Sequence, residues 1–107
     1  MPTRREKLEA MLADEPRDSF LRYGLANELD KDGEHERSLA MFAELTRDTP
    51  PYVAAFFMQA QQLTRLERIN EARTVLREGI EEARRQGNSH AAGEMSEFLQ
   101  GLGNAGE

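Results

Sequence analysis

The middle of the chain reads Thr49-Pro50-Pro51-Tyr52-Val53-Ala54-Ala55-Phe56-Phe57-Met58-Gln59-Ala60-Gln61-Gln62-Leu63-Thr64. This stretch contains no charged residue, although 32% of the 107 residues are charged. Its apolar positions have helical spacing, at Val53, Phe56, Phe57, Ala60, Leu63 and Thr64. The opposite face is only mildly polar, with Ala54, Ala55, Met58, Gln59 and Gln62. Because a helix that is apolar or neutral nearly all round is usually surrounded by other helices, we predict a central helix enclosed by its neighbours.

Two prolines mark the start of this central helix. Pro50 biases Thr49 toward extended backbone, which is the conformation of an N-cap residue. Proline also fits the first turn of a helix, because the amides there have no intrahelical partner. We therefore predict that Thr49 is the N-cap and that the helix ends near residues 65–67, at a turn without glycine.

Two further helices are predicted near the N-terminus. Thr3 and Glu6 have the spacing of a capping box, which predicts a first helix over residues 4–13. Asp18 can cap a second helix. That helix ends at Gly33, which can adopt the left-handed conformation of a C-terminal cap.

Three other helices complete the chain, over residues 34–47, 69–85 and 88–102. Gly87 ends the second of these, and either Asn88 or Ser89 caps the last. Ala, Leu, Glu and Arg are abundant and β-branched residues are few, so we predict an all-α protein of about six helices. The glycine-rich residues 103–107 are predicted to form a flexible tail.

Apolar and turn residues recur along the chain at a period of 34 residues. The matching sets are Leu8, Phe42 and Leu76, then Pro16 and Pro50, Ala26 and Ala60, and Leu29 and Leu63. Short helices joined by short links favour antiparallel hairpins. The period predicts that one helical hairpin is repeated and stacked.

The chain resembles the tetratricopeptide repeat family, whose pattern spaces Trp, Leu, Gly, Tyr, Ala, Phe and Pro over 34 residues. At those places the first repeat has Arg22, Leu25, Ala26, Leu29, Ser38, Phe42 and Pro50. The second repeat has Phe56, Gln59, Ala60, Leu63, Ala72, Leu76 and Arg84. Arg22, Gln59 and Arg84 depart from the pattern. Arg84 in place of proline is expected to let its helix run longer, and Arg22 is expected to pack its stem on the first helix with its head in water.

The resemblance implies a right-handed α-solenoid of antiparallel helix hairpins, formed as a single domain over residues 1–107. Its parts are an N-terminal capping helix (3–14), repeat 1 (18–48), repeat 2 (50–86), a C-terminal capping helix (88–102) and the tail (103–107). A single repeat cannot bury both of its faces, so the end helices are expected to act as caps.

The resemblance also implies a protein or peptide partner, bound in the concave groove that the first helix of each pair lines. By the repeat register, the expected contact residues are Tyr23, Asn27, Lys31, Phe57, Met58, Gln61 and Arg65. Aromatic and methionine side chains beside amides suit an extended peptide or an amphipathic helix. The alternative for Phe57 and Met58 is a purely structural role, since large apolar residues at helical spacing usually belong to the core.

Composition argues against several other classes of protein. The net charge is −6 and no segment is strongly basic, so a nucleic-acid partner is not expected. The central stretch is too short and too rich in glutamine to span a bilayer. The chain has no cysteine, so redox chemistry does not indicate a compartment. No apolar run follows the first residues, so a soluble cytoplasmic protein is the expectation.

Catalytic, cofactor-binding and metal-binding residues are not predicted. The two histidines, His35 and His90, are far apart in the repeat register, and a metal or acid–base site would need converging partners. His35 lies at a hairpin turn and is interpreted as a solvated surface residue. The sequence therefore favours a binding module over an enzyme.

Self-association is the remaining alternative, in the form of a homodimeric scaffold protein. Phe98, Leu99 and Leu102 lie on the last helix, and Phe98 is off the inward stripe of Ala92, Met95 and Leu99. A free aromatic ring at one end of a short solenoid could pair with a copy of itself.

Overall fold

Six α-helices follow one another in the computed structural model, which describes residues 2–103. They are α1 (Arg4–Asp14), α2 (Ser19–Lys31), α3 (His35–Thr46), α4 (Val53–Arg65), α5 (Ile69–Arg85) and α6 (Ser89–Leu102). Residues 2–103 contain no β-strand. The prediction of an all-α chain with about six helices is confirmed, while most of the predicted tail, residues 104–107, lies outside the described residues.

Three helices begin with the caps that the sequence predicts. Thr3 and Glu6 form both hydrogen bonds of a capping box at the start of α1. Asp18 Oδ1 accepts from Leu21 N at 2.9 Å at the start of α2. At the start of α6 the choice between two residues is resolved, because the side chain of Asn88 makes the capping bond.

The predicted start of the central helix is wrong. Helix α4 begins at Val53 rather than at Pro50, its N-cap is Tyr52, and Thr49 lies in the preceding loop. Each residue before a proline is disfavoured in helical backbone, so neither Thr49 nor Pro50 can start the helix. The Thr49–Pro50 peptide bond is cis, and Tyr52 N donates to Leu45 O at 2.9 Å, which holds the loop on the end of α3.

One turn geometry recurs after α2, α4 and α5. In each turn an amide donates to a carbonyl five residues earlier, which is the long bond of a Schellman motif: Glu34 to Leu29, Arg68 to Leu63 and Asn88 to Ala83. Its left-handed residue is glycine in two turns, with φ 83° at Gly33 and 74° at Gly87. In the third turn Glu67 adopts φ 62°, so the chain makes the turn there without glycine.

The helices form an open stack in which each packs against its neighbours in sequence. Helix α4 packs against α3, α5 and α6, which confirms its central position. The stack measures 44 × 30 × 18 Å. Helix α5 is the longest, at 17 residues, as expected from arginine at the usual proline position.

Residues separated by the 34-residue period occupy matching environments. Phe42 on α3 and Leu76 on α5 are 1% and 0% exposed, and Ala26 and Ala60 are both fully buried. Small residues let successive helices cross closely while the large ones fill the space beside them. The two copies of the hairpin are therefore packed in the same way.

Two polar side chains, Gln62 and Arg22, are engaged within the stack, and the predicted position of Arg22 is wrong. Gln62 is 1% exposed, and its Nε2 donates to His35 O at 3.3 Å. Arg22 does not turn toward α1. Its guanidinium donates to Asp48 Oδ2 at 2.7 Å, so it ties α2 to the α3–α4 loop. A charge-assisted hydrogen bond to the nearby carboxylate of Asp48 is more favourable for the guanidinium than hydration alone.

Candidate functional site

The predicted contact residues lie on two helices, with Tyr23, Asn27 and Lys31 on α2 and the other four on α4. We call the surface that carries them the α2–α4–α6 face. It is defined by Tyr23, Asn27, Lys31, Phe57, Met58, Gln61 and Arg65, with Phe98 of α6 at its edge.

Six of these residues form three pairs at equivalent positions of the two repeats. Tyr23 and Phe57 supply an aromatic ring, Asn27 and Gln61 an amide, and Lys31 and Arg65 a cation, each pair being 34 residues apart. Within each helix the steps are four residues, so ring, amide and cation follow one stripe of the helix surface. The face thus repeats one chemical pattern on two helices.

Side-chain contacts join the helices along this face. Arg65 on α4 donates to Asp30 Oδ2 on α2 at 2.6 Å. The rings of Phe57 on α4 and Phe98 on α6 meet edge to face, with centroids 5.5 Å apart. Helices α2, α4 and α6 are therefore adjacent on this side of the stack.

Tyr23 is only partly available to a partner. Its ring packs against Phe42 at 5.9 Å and Tyr52 at 5.4 Å between ring centroids. Burial raises the pKa of its hydroxyl, and a hydrogen bond with Asn27 opposes part of that rise. Asn27 Nδ2 donates to Tyr23 O at 3.2 Å, so one amide N–H is used within α2.

Phe57 and Met58 are half-buried, so the two roles considered for them are not exclusive. Phe57 packs against the α4–α5–α6 core. Met58 packs against the cluster that contains Ala26 and Phe42. Each side chain closes an edge of the core and still presents part of its surface to solvent.

The polar side chains of the face differ in whether they already make hydrogen bonds or ion pairs within the protein. Lys31 Nζ lies 3.6 Å from Glu28 Oε1, and Arg65 is held by Asp30. The half-buried Gln61 makes no hydrogen bond with the side chains or backbone of residues 2–103 beyond those of its helix. Its amide is free to donate and accept, as an extended peptide backbone requires.

His35 is not the isolated surface histidine that was predicted. Its Nδ1 lies 2.7 Å from Asp30 Oδ1, and Asp30 also binds Arg65, so three side chains converge at the end of α2. The hairpin turn brings His35 back over Asp30, a proximity that follows from the turn geometry. His90 is separate, exposed and 3.4 Å from Glu94 on its own helix.

The structure corrects the position that the sequence gave Phe98, while self-association through α6 stays a prediction. The self-association alternative assumed that Phe98 points away from the core, but it packs against Phe57. Leu99 and Leu102 also pack against the core of α4 and α5. The spacing of apolar residues along α6 alone could not identify this contact, because the contact depends on how closely α6 approaches α4.

Across residues 2–103, no group of three or more His, Asp or Glu side chains is arranged to hold a metal ion. In the same range no helix has both the length and the apolar character needed to cross a membrane.

Comparison with known proteins gives one informative match. No protein-family model matches the chain, and no curated protein matches it either. Among solved structures, the chain is similar to a tetratricopeptide repeat domain protein from Salinibacter ruber, determined by solution NMR. The two share 32% sequence identity over 84% of this chain and 91% of that one, with a TM-score of 0.78.

Proposed function

Because the chain belongs to the tetratricopeptide repeat family, we propose that it is a non-catalytic module that binds a protein or peptide on the α2–α4–α6 face. The contacts are Tyr23, Asn27, Lys31, Phe57, Met58, Gln61 and Arg65. The helices outside the two repeats, α1 and α6, serve as caps that close the ends of the core. The cytoplasmic location expected from the sequence stays a prediction.

The repetition of ring, amide and cation on α2 and α4 is the observation that carries this proposal. A peptide backbone offers N–H and C=O groups at regular intervals, and amide side chains can bond both. Asn27 keeps its side-chain oxygen for this purpose, and Gln61 keeps its whole amide. Rings on either side supply apolar area at small entropic cost.

An extended peptide fits this arrangement better than a second folded surface. The face has few large exposed apolar side chains, and its two cations are each beside a carboxylate. Such a mixed surface gains most of its affinity from backbone hydrogen bonds and from a few side-chain contacts. We therefore expect modest affinity, with the amides deciding whether binding occurs.

The test compares Asn27→Ala/Gln61→Ala with Gln59→Ala in affinity capture from a native lysate, followed by mass spectrometry. Gln59 is a matched control, because it lies on α4 but borders a separate 400 Å³ concavity between α3 and α5. We avoid Tyr23 and Phe57 as first choices, since both rings also pack internally.

We expect the double variant to lose partners that both the wild type and Gln59→Ala retain. Circular dichroism must show the same helix content and melting temperature for all three proteins. If the folded double variant captures every wild-type partner in equal amounts, the face is not the binding surface.

A further inference from the structure

A concavity lies at one edge of the stack, distinct from both the α2–α4–α6 face and the concavity that Gln59 borders. It has a volume of about 1000 Å³ and none of the seven face residues borders it. Three parts of the chain meet there: the α1–α2 loop with Pro16 and Arg17, the α3–α4 loop, and the end of α5. Gln86 Nε2 donates to Pro51 O at 2.9 Å, which holds α5 to the α3–α4 loop.

The lining of this edge cavity is basic in an acidic protein. Arg17, Arg22 and Arg47 border it together with Glu44 and Asp48, so its lining carries a net charge of +1. The whole chain has a net charge of −6. A local excess of positive charge on an acidic protein favours a partner with a small number of negative charges.

The three arginines have different roles. Arg22 is mostly buried and is committed to Asp48 at 2.7 Å, with Glu44 at 3.9 Å. Arg17 and Arg47 are exposed, and neither makes an ion pair with any other residue in 2–103. Arg22 and Asp48 therefore hold each other in place and cancel each other's charge. The guanidinium groups of Arg17 and Arg47 remain available to a ligand.

Apolar residues lie beside Ser19, Thr49 and Gln86 in the rest of the lining. Pro50, Pro51, Val53 and Ala54 contribute to it, and Tyr52 is held by its packing on Tyr23. Ligand sites combine such apolar side chains with polar groups at fixed places. Together these groups suit the side chains and the backbone of a short extended segment.

We propose that this edge cavity binds an acidic peptide segment, whose carboxylates pair with Arg17 and Arg47 while its apolar parts contact the prolines. A guanidinium presents paired N–H groups that match a carboxylate. Nucleic acid is disfavoured, because a strand with one negative charge at every nucleotide would meet Glu44 and Asp48 in the lining of a protein whose net charge is −6.

The test uses fluorescence anisotropy with a labelled short peptide of alternating glutamate and proline. A peptide of alternating glutamine and proline keeps the shape without the charge. The protein variants are Arg17→Ala, Arg47→Ala and their combination. Arg77→Ala is the matched control, since Arg77 is an exposed arginine on α5, outside the cavity, without an ion pair in residues 2–103.

Arg17 is the more diagnostic of the two, because Arg47 also borders the neighbouring concavity with Glu78, Glu81 and Glu82. We expect each single substitution to weaken binding of the glutamate peptide about three- to fivefold, and the double substitution about tenfold. Arg77→Ala should bind like the wild type, and raising the salt concentration should weaken all of them.

Three results with the peptides would overturn the proposal: no binding of the glutamate peptide to the wild type, equal binding of the glutamine peptide, or an equal loss of binding in Arg77→Ala. Stronger, Arg17-dependent binding of a single-stranded oligonucleotide would also overturn it, in favour of nucleic acid. The result is independent of the α2–α4–α6 face, because Asn27→Ala/Gln61→Ala should leave this binding unchanged.

Discussion

Gly79 on α5 lies so close to Phe56 on α4 that a Cβ added at Gly79 would be 2.6 Å from the Cβ of Phe56. The same added atom would be 2.6 Å from Met95 Sδ on α6. Position 79 is therefore where three helices approach most closely around one residue without a side chain. The equivalent position in α3 is Leu45, so the two repeats differ at this crossing.

We predict that Gly79→Ala lowers the free energy of unfolding by about 1–2 kcal/mol, because overpacking outweighs the better helix propensity of alanine. The thioether of Met95 can rotate away, but the Cβ of Phe56 is fixed to its backbone. Chemical denaturation followed by circular dichroism measures the change.

Gly93→Ala on α6 is the control for this prediction. No heavy atom lies within 4 Å of an added Cβ at Gly93, so only propensity acts, and stability should rise by up to about 1 kcal/mol. If both substitutions stabilise the protein, the close approach at Gly79 is not present in solution.

A second prediction concerns Glu67, which has φ 62° at the position where Gly33 has φ 83°. A residue with a Cβ is strained in left-handed backbone by about 1–2 kcal/mol, and the larger chain entropy of unfolded glycine offsets part of the relief. We expect Glu67→Gly to raise the free energy of unfolding by about 0.5–1 kcal/mol. Gly33→Ala should lower the free energy of unfolding. If Glu67→Gly loses stability instead, the Glu67 side chain has a stabilising role that outweighs the backbone strain.

The buried Ser38 and Gln62 form a polar pair whose energies should be coupled. Ser38 Oγ donates to Ala26 O at 2.6 Å and lies 3.3 Å from Gln62 Oε1. Ser38→Ala should destabilise the protein by about 1–2 kcal/mol, because it removes buried hydrogen-bond partners. Alanine itself fits, since the equivalent position of the second repeat is the fully buried Ala72.

The coupling between Ser38 and Gln62 is measured with a double-mutant cycle. In a Gln62→Ala background, Ser38→Ala should cost about 0.5–1 kcal/mol less than in the wild type. If the two changes in the free energy of unfolding simply add, the side chains of Ser38 and Gln62 are not energetically coupled.

A fourth prediction concerns the two tyrosines, Tyr23 and Tyr52, whose pKa values burial raises above the ordinary 10.0. The unfolded chain then loses the phenolic protons first, so stability falls as the pH rises above about 10. Absorbance at the phenolate band should show both groups titrating later than in denaturant. Since the chain has no other tyrosine and no tryptophan, a transition at the ordinary pKa would contradict the observed packing.

The sequence by itself determined the repeated part of this protein. Its spacing of Phe42 and Leu76 identified equivalent core positions, and local capping signals at Thr3 and Asp18 located two helix starts. For the last helix they left two neighbouring candidates, of which the structure selected Asn88. These features depend on residues close in sequence or on one short period. A linear pattern contains the information for both, since helix periodicity and capping are local properties.

Only the tertiary structure decided which polar and aromatic side chains meet. The burial of Gln62, the pairing of Arg22 with Asp48 and the packing of Phe98 on Phe57 all depend on distances between helices. Those distances are set by the packing of many small and large side chains at once, which no single stretch of sequence specifies.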